Sequence, residues 1–309
     1  MSILLVFENK DPNPWEKLLK EKIINTPIEI YPNVKDKLAI TFVICWKPKK
    51  NTFAQFPNIK VIQSVGASID HITNSQQLTE NVIVTRIVDE QLSNDMWEYL
   101  LTGVLTQLKN TLTYSKQQTL KVWKQHDYKS IKNTTVSILG LGKIGSLVAE
   151  KFASIGFNVR GWSYSKKEIP SVKSFVGKEE LNFFLEETDF LINLLPLTKE
   201  TEGILNLKTL KNLPKETFLI NVGRGEHLVE NDLIKLLDNS QLSGALLDVF
   251  SEEPLPENHP FWKHPKIQVT PHVASLTNVE SAINQIVENF ERYTNNKALK
   301  NIVSLNKGY

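Results

Sequence analysis

The stretch Thr134-Thr-Val-Ser-Ile-Leu-Gly140-Leu-Gly142-Lys-Ile-Gly145, running on into Ser-Leu-Val-Ala-Glu-Lys-Phe, leaves this chain few choices of fold. It reads as a short apolar strand, a glycine turn and an amphipathic helix. Gly140 lets the chain turn sharply at the strand's end, Gly142 lets backbone approach a pyrophosphate, and Gly145 lets the helix pack close to the strand. The unpaired N–H groups of the helix's first turn then face an anion, backed by the positive end of the helix dipole. A G-x-G-x-x-G alone is also met as a plain tight turn. With a strand before it and a helix after it, the expectation is a dinucleotide held by Gly140, Gly142, Lys143, Ile144 and Gly145.

The 309 residues suffice for two domains with cores of their own. Residues 3–7, 38–46, 59–65 and 82–86 are buried-strand candidates, and helical spacing runs from Trp15 to Ile24. From Thr135 the alternation becomes more regular, with strands expected at 135–139, 158–162, 189–194, 217–222, 244–248 and 267–270. Helices are expected at 143–155, 178–186 and 230–239. A long helical region, 89–124, breaks near Lys109-Asn110, and a last amphipathic stretch covers 276–294. The expected fold class is α/β, with two Rossmann-like or flavodoxin-like domains built on doubly wound parallel sheets and an interdomain cleft as the default site. The boundaries are read as 1–102 plus 276–309 for a substrate domain and 103–275 for a dinucleotide domain.

A net charge of +2 suggests neither nucleic acid nor an anionic membrane as partner. No apolar run approaches the ~20 residues that span a bilayer. One cysteine, Cys45, excludes an internal disulfide framework, and the N-terminus has no basic leader, so the expected compartment is the cytoplasm.

An NAD-selective turn places an acid at the end of the second strand, to accept from the ribose 2′-OH. Here that strand runs into Ser163-Tyr-Ser-Lys-Lys167. Hydroxyls and an ammonium can hold a 2′-phosphate that a carboxylate would repel. Ser163, Ser165 and Lys166 are therefore read as the phosphate grip, and NADPH (NADP) as preferred, with NADH possible. Three further polar residues follow strands: Arg224 after Phe218–Val222, Glu253 after Leu246–Phe250 and His272 after Ile267–Thr270. Reducing a ketone by hydride needs a proton for the developing alkoxide, which an imidazolium supplies. A carboxylate beside it favours the charged form, and a guanidinium grips a carboxylate and polarises a carbonyl. Singly, each also fits a plain role in a turn; together at the ends of one sheet they point to catalysis.

The set Leu139-Gly-Leu-Gly-Lys-Ile-Gly145, Asn193-Leu-Leu-Pro-Leu-Thr198, Asn221-Val-Gly-Arg-Gly225, Leu247-Asp-Val-Phe-Ser-Glu-Glu-Pro-Leu-Pro256 and Thr270-Pro-His-Val-Ala274 resembles the D-isomer-specific 2-hydroxyacid dehydrogenases. The resemblance covers essentially the whole chain, down to the terminal Gly308-Tyr309. It implies a homodimer that reduces small 2-keto acids, glyoxylate and hydroxypyruvate first among them, to 2-hydroxy acids. It further implies that Arg224 binds substrate, that Glu253 orients and charges His272, and that His272 is the acid/base. Asp248 would hold the nicotinamide carboxamide, while Leu195, Pro196, Val222 and Gly223 would line the cofactor. Gly66, Ala67 and Ser68 would offer backbone N–H groups to the substrate carboxylate, with Ser68 replacing the usual glycine. Trp46 would be a pocket wall, although it also fits a core tryptophan ending a strand. Arg86 falls where the subgroup also has arginine, and Met96 is expected near the nicotinamide ring. Gln91-Leu-Ser-Asn-Asp95 departs from the family's glycine-containing segment.

His259, His264 and His272 are too irregularly spaced for a metal site, and none is expected. Cys45, inside an apolar run, reads as a buried hydrophobe. Lys47-Pro-Lys-Lys50 reads as a solvated basic loop. Two other readings stay open: an NAD-dependent D-2-hydroxyacid dehydrogenase of another substrate, and a dinucleotide-sensing binding protein on the same fold.

Overall fold

The computed structural model describes residues 1–79 and 81–304, so Gly308-Tyr309 lies outside the described residues. The chain forms two compact units, Met1–Leu92 with the chain from Thr277 onward, and Ser93–Leu276. They part inside the helix Glu90–Leu108; the sequence reading puts that boundary further along the same helix.

Unit 1 carries five strands, β1 Ser2–Phe7, β2 Ile28–Ile30, β3 Ile40–Trp46, β4 Val61–Ser64 and β5 Ile83–Thr85. All pair in parallel, in the order β2-β1-β3-β4-β5. That is the flavodoxin-like order, whose connections reverse direction between β1 and β3. Runs such as Ile3-Leu-Leu-Val and Phe42-Val-Ile-Cys are buried on both faces, as a covered parallel sheet requires. Burial pushes the Cys45 thiol pKa up, so it packs as a hydrophobe rather than reacting. The helix Val279–Thr294 covers one face. Asn278 caps it, its side chain accepting from the N–H groups of Glu280 and Ser281. Ala282, Ile283, Ile286 and Phe290 form its buried stripe, and Phe290 meets Phe42 edge-on at 5.4 Å. Burying a side chain such as Phe290 contributes about 2–3 kcal/mol.

Unit 2 carries seven strands, β6 Thr135–Leu139, β7 Asn158–Ser163, β8 Val172–Val176, β9 Phe190–Asn193, β10 Thr217–Asn221, β11 Leu242–Leu247 and β12 Ile267–Val269. They too are all parallel, in the order β12-β11-β10-β9-β6-β7-β8. This is the dinucleotide-binding order extended by one strand, reversing between β6 and β9. The six strands expected become seven because β8 is an edge strand: only Phe175 is buried, and Lys173 faces solvent. β2 was missed in the same way, being three residues at the other sheet's edge. The helix expected over 178–186 is the shorter Leu181–Leu185. The break expected near Asn110 is present; this residue takes a left-handed backbone between the helices Glu90–Leu108 and Thr111–Leu120.

Candidate active site

Three glycines shape the turn after β6, each differently. Gly140 has φ +101°, and a Cβ there would lie 2.8 Å from the Leu194 carbonyl at the end of β9. A Cβ on Gly145 would fall 1.8 Å from the Gly140 oxygen, so only glycine lets the helix Lys143–Ser154 sit this close. Gly142 differs: nothing lies within 4 Å of where its Cβ would be. It caps that helix with both Gly142 and Lys143 exposed and Ile144 half-buried. An open space before unpaired helical N–H groups, at the point where strand order reverses, is what a pyrophosphate requires.

Ser163 ends β7 one strand away, and the Gly140 N–H donates to the Trp162 carbonyl. The Ser163 hydroxyl donates to the Ser165 carbonyl at 2.7 Å. Lys166 is exposed and lies 3.4 Å from the equally exposed Glu168, a pairing too solvated to hold it in place.

At the ends of β9 and β10 lies a buried polar network that the sequence did not announce. His227 is fully buried. Its Nδ1 accepts from Asn193 Nδ2 at 2.9 Å and from the Arg224 N–H at 3.0 Å. Two donors converge on Nδ1, so the proton sits on Nε2, which donates to the Pro196 carbonyl at 3.2 Å. Asn193 also donates to Asn221 Oδ1, and its own Oδ1 accepts from the Leu195 N–H. Asn221 in turn accepts from the Gly223 N–H and donates to the Arg224 carbonyl. One network thus ties the Leu195-Pro196 loop to the backbone of Val222, Gly223 and Arg224. The available signal was that two neighbouring apolar strands each end in asparagine.

Arg224, Glu253 and His272 sit in the loops that follow β10, β11 and β12, three successive strands of this sheet. The His272 Nδ1 lies 2.9 Å from Glu253 Oε2 and 3.1 Å from Oε1. A carboxylate only accepts, so Nδ1 carries a proton and Nε2 is left for exchange. Glu253 is itself steadied by the Phe250 N–H at 3.2 Å. His272 adopts φ +53°, a strained backbone for a residue with a side chain. Asp248 holds it there. Its Oδ1 accepts from Thr270 Oγ1 (2.6 Å) and the Val273 N–H (2.8 Å), its Oδ2 from the Ala274 N–H (2.9 Å), and its carbonyl from the His272 N–H (2.9 Å). Burial raises the Asp248 pKa against the pull of those hydrogen bonds. Oδ2 keeps one further lone pair for another donor. Asp248 is therefore the anchor of the histidine turn, a duty the resemblance did not suggest.

In unit 1, Trp46 is half-buried at the end of β3, and a Cβ on Gly66 would lie 2.7 Å from its indole. The Gly66 N–H is occupied, donating to Ser64 Oγ, while the Ser64 hydroxyl donates to the Ser68 carbonyl. Arg86 Nη1 donates to the Ala67 carbonyl at 3.1 Å. Of the three expected carboxylate donors, Gly66 is thus turned inward. Lys47, expected in a solvated loop, instead lies over the Trp46 ring at 5.9 Å. Met96 is buried in the core of unit 2. Among the described residues no group of His, Cys, Asp and Glu could hold a metal, and no helix is long and apolar enough to cross a membrane.

Fold and site together define the class, an NAD(P)-dependent oxidoreductase with a carboxylate–imidazole pair at the edge of its nucleotide-binding sheet. Residues 101–274 match the NAD binding domain of the D-isomer specific 2-hydroxyacid dehydrogenases. A glyoxylate/hydroxypyruvate reductase A of Serratia proteamaculans is 35% identical over the full length of both chains. A D-isomer specific 2-hydroxyacid dehydrogenase from Xanthobacter autotrophicus Py2, solved with NADPH and MES, superposes with TM-score 0.93 at 32% identity, covering 100% of this chain and 99% of its own. An NADPH-dependent glyoxylate/hydroxypyruvate reductase from Sinorhizobium meliloti, solved with NADP and sulfate, gives the same TM-score and identity, with 100% of both chains covered. The chain belongs to the D-isomer specific 2-hydroxyacid dehydrogenase family.

Proposed function

We propose that this protein reduces small 2-keto acids, glyoxylate and hydroxypyruvate, to the corresponding 2-hydroxy acids with NADPH. The observation that carries the reading is His272 Nδ1 bonded to both oxygens of Glu253, which leaves Nε2 as the proton-exchanging atom. The nicotinamide, when bound, supplies the hydride to the carbonyl carbon. His272 Nε2–H gives its proton to the carbonyl oxygen as that oxygen becomes an alkoxide, and Glu253 stabilises the imidazolium beforehand. Arg224 grips the substrate carboxylate and polarises the carbonyl, its backbone fixed by His227. The N–H groups of Ala67 and Ser68 are the remaining carboxylate donors of the expected turn, with Trp46 walling the pocket.

Gly142, Lys143 and Ile144 would hold the pyrophosphate, and Ser163, Ser165 and Lys166 the 2′-phosphate. Leu195, Pro196, Val222 and Gly223 would line the cofactor, and the spare lone pair of Asp248 would meet the carboxamide. The absence of an acid at the end of β7, and the NADPH and NADP in the two solved relatives, support the cofactor preference. The family resemblance supports a homodimer working in the cytoplasm.

Following NADPH absorbance with glyoxylate, hydroxypyruvate and pyruvate tests the reading. Turnover of the first two, with kcat/KM higher for NADPH than for NADH, is expected. Cofactor binding without turnover of any keto acid would replace it with the binding-protein reading, and an NADH preference would overturn the phosphate grip.

A further inference from the structure

Glu253 sits in a loop that leaves β11 at Leu247 and regains regular structure only at the short helical turn Pro260–Lys263. A loop of this kind holds a fixed geometry only if it is tied to the scaffold around it. Two of its ties end on one residue. Glu230 opens the helix Glu230–Asp238, soon after the Arg224 turn. Its Oε1 accepts from the Ser251 hydroxyl at 3.2 Å, and its Oε2 meets His259 Nε2 at 3.1 Å. The two carboxylate oxygens thus serve opposite ends of the stretch that carries Glu253.

The other nitrogen of His259 fixes its tautomer. Nδ1 accepts from the Phe261 N–H at 3.4 Å, so the ring proton lies on Nε2 and is donated to Glu230. The His259 ring packs edge-on against buried Phe261 at 4.5 Å, and Phe261 lies 6.4 Å from Phe250. The Phe250 N–H is the group that steadies Glu253 Oε1. The start of the loop has no slack either. A Cβ on Gly225 would fall 1.9 Å from the Phe250 carbonyl carbon and 2.1 Å from the Ser251 nitrogen. The loop is therefore pressed onto the turn that carries Arg224 and clamped to the helix that follows that turn. Each clamp is modest alone, yet a shift of about 1 Å at a reacting group costs up to about a hundredfold in rate.

We propose that Glu230 is a positioning residue for the reduction: by holding Ser251 and His259 it keeps the Glu253 carboxylate on His272 Nδ1. This rests on the reading of Glu253 and His272 as the proton-transfer pair. Glu230 and His259 take no part in the proton or hydride transfer itself, and the effect of Glu230 runs through Glu253.

The test follows glyoxylate reduction by the intact protein at saturating NADPH. Glu230→Ala should lower kcat about tenfold while the KM for NADPH stays within about twofold of wild type. Ser251 is exposed, so Ser251→Ala removes one clamp and leaves the helix and His259 in place; it should lower kcat about threefold. Ser251→Thr, which keeps the hydroxyl, should restore it. In a Glu253→Ala background, Glu230→Ala should lower kcat no further, because the group it positions is gone. An equal loss in both backgrounds overturns the proposal, as does a kcat unchanged in both Glu230→Ala and Ser251→Ala. If wild type reduces glyoxylate in those cases, only the positioning role falls. If wild type reduces no keto acid, the reading beneath it falls as well.

Discussion

The two parallel sheets end in edges of opposite construction. At the edge of the seven-stranded sheet, Asn193, Asn221, His227, Asp248 and Thr270 satisfy one another and the backbone around them, and all but the part-exposed Thr270 are buried. At the edge of the five-stranded sheet, an indole carries two ammonium groups and a turn is braced by one guanidinium. The first edge is held by hydrogen bonds among buried side chains; the second carries cations on an aromatic face. The first edge has the fixed geometry that proton and hydride transfer demand.

The comparison breaks most visibly at His272. Replacing it with asparagine should lower kcat by about 10²–10⁴-fold, because the proton donor is lost, while leaving the NADPH Kd within about twofold. Rapid-mixing kinetics beside a binding titration would separate the two, and a kcat within tenfold of wild type would remove the imidazole from the reaction. His227→Leu comes next. It strands the Arg224 and Asn193 N–H groups and the Pro196 carbonyl without a buried partner, so urea unfolding should show a loss of about 2–4 kcal/mol. Unaltered stability would mean that the network is not rigid.

Gly142→Ala sharpens the contrast between structural and ligand-facing glycines. Its φ of −72° accepts a side chain and its surroundings are open, so unfolding stability should stay within about 0.5 kcal/mol of wild type. The NADPH Kd should nevertheless weaken about tenfold, as a methyl takes the room meant for phosphate. The smallest effect concerns the other edge. Burial depresses the Lys10 pKa, so the unfolded chain binds this proton more readily and wild-type stability rises with pH through the lysine's titration. Lys10→Met should lack that rise and be slightly more stable at neutral pH, by less than about 0.5 kcal/mol after solvent screening. A clear loss of stability would show that the ammonium is already satisfied.

Much of this was readable in the residues because parallel strands buried on both faces advertise themselves. Thr135–Leu139, Phe190–Asn193 and Thr217–Asn221 stand out as apolar runs. Arg224, Glu253 and His272 stand out because polar groups follow such runs. The edge strands β2 and β8 were not readable, since one neighbour suffices for an edge and little side chain need be buried. His227 was hidden for another reason. Its partners lie at 193, 196 and 224, and no local pattern links a histidine in a turn to amides on other strands. Lys47 was misjudged because a run of lysines around a proline reads as solvated, whereas the neighbouring indole gives one of them a surface.

The contact between Gly66 and Trp46 carries a lesson about inheritance. A methyl at position 66 would sit 2.7 Å from the indole, so position 66 cannot gain a side chain while Trp46 keeps its place. In lineages that acquire alanine at the first position, the second should have shrunk or swung aside. A side chain at the first site therefore arrives only together with, or after, a change at the second.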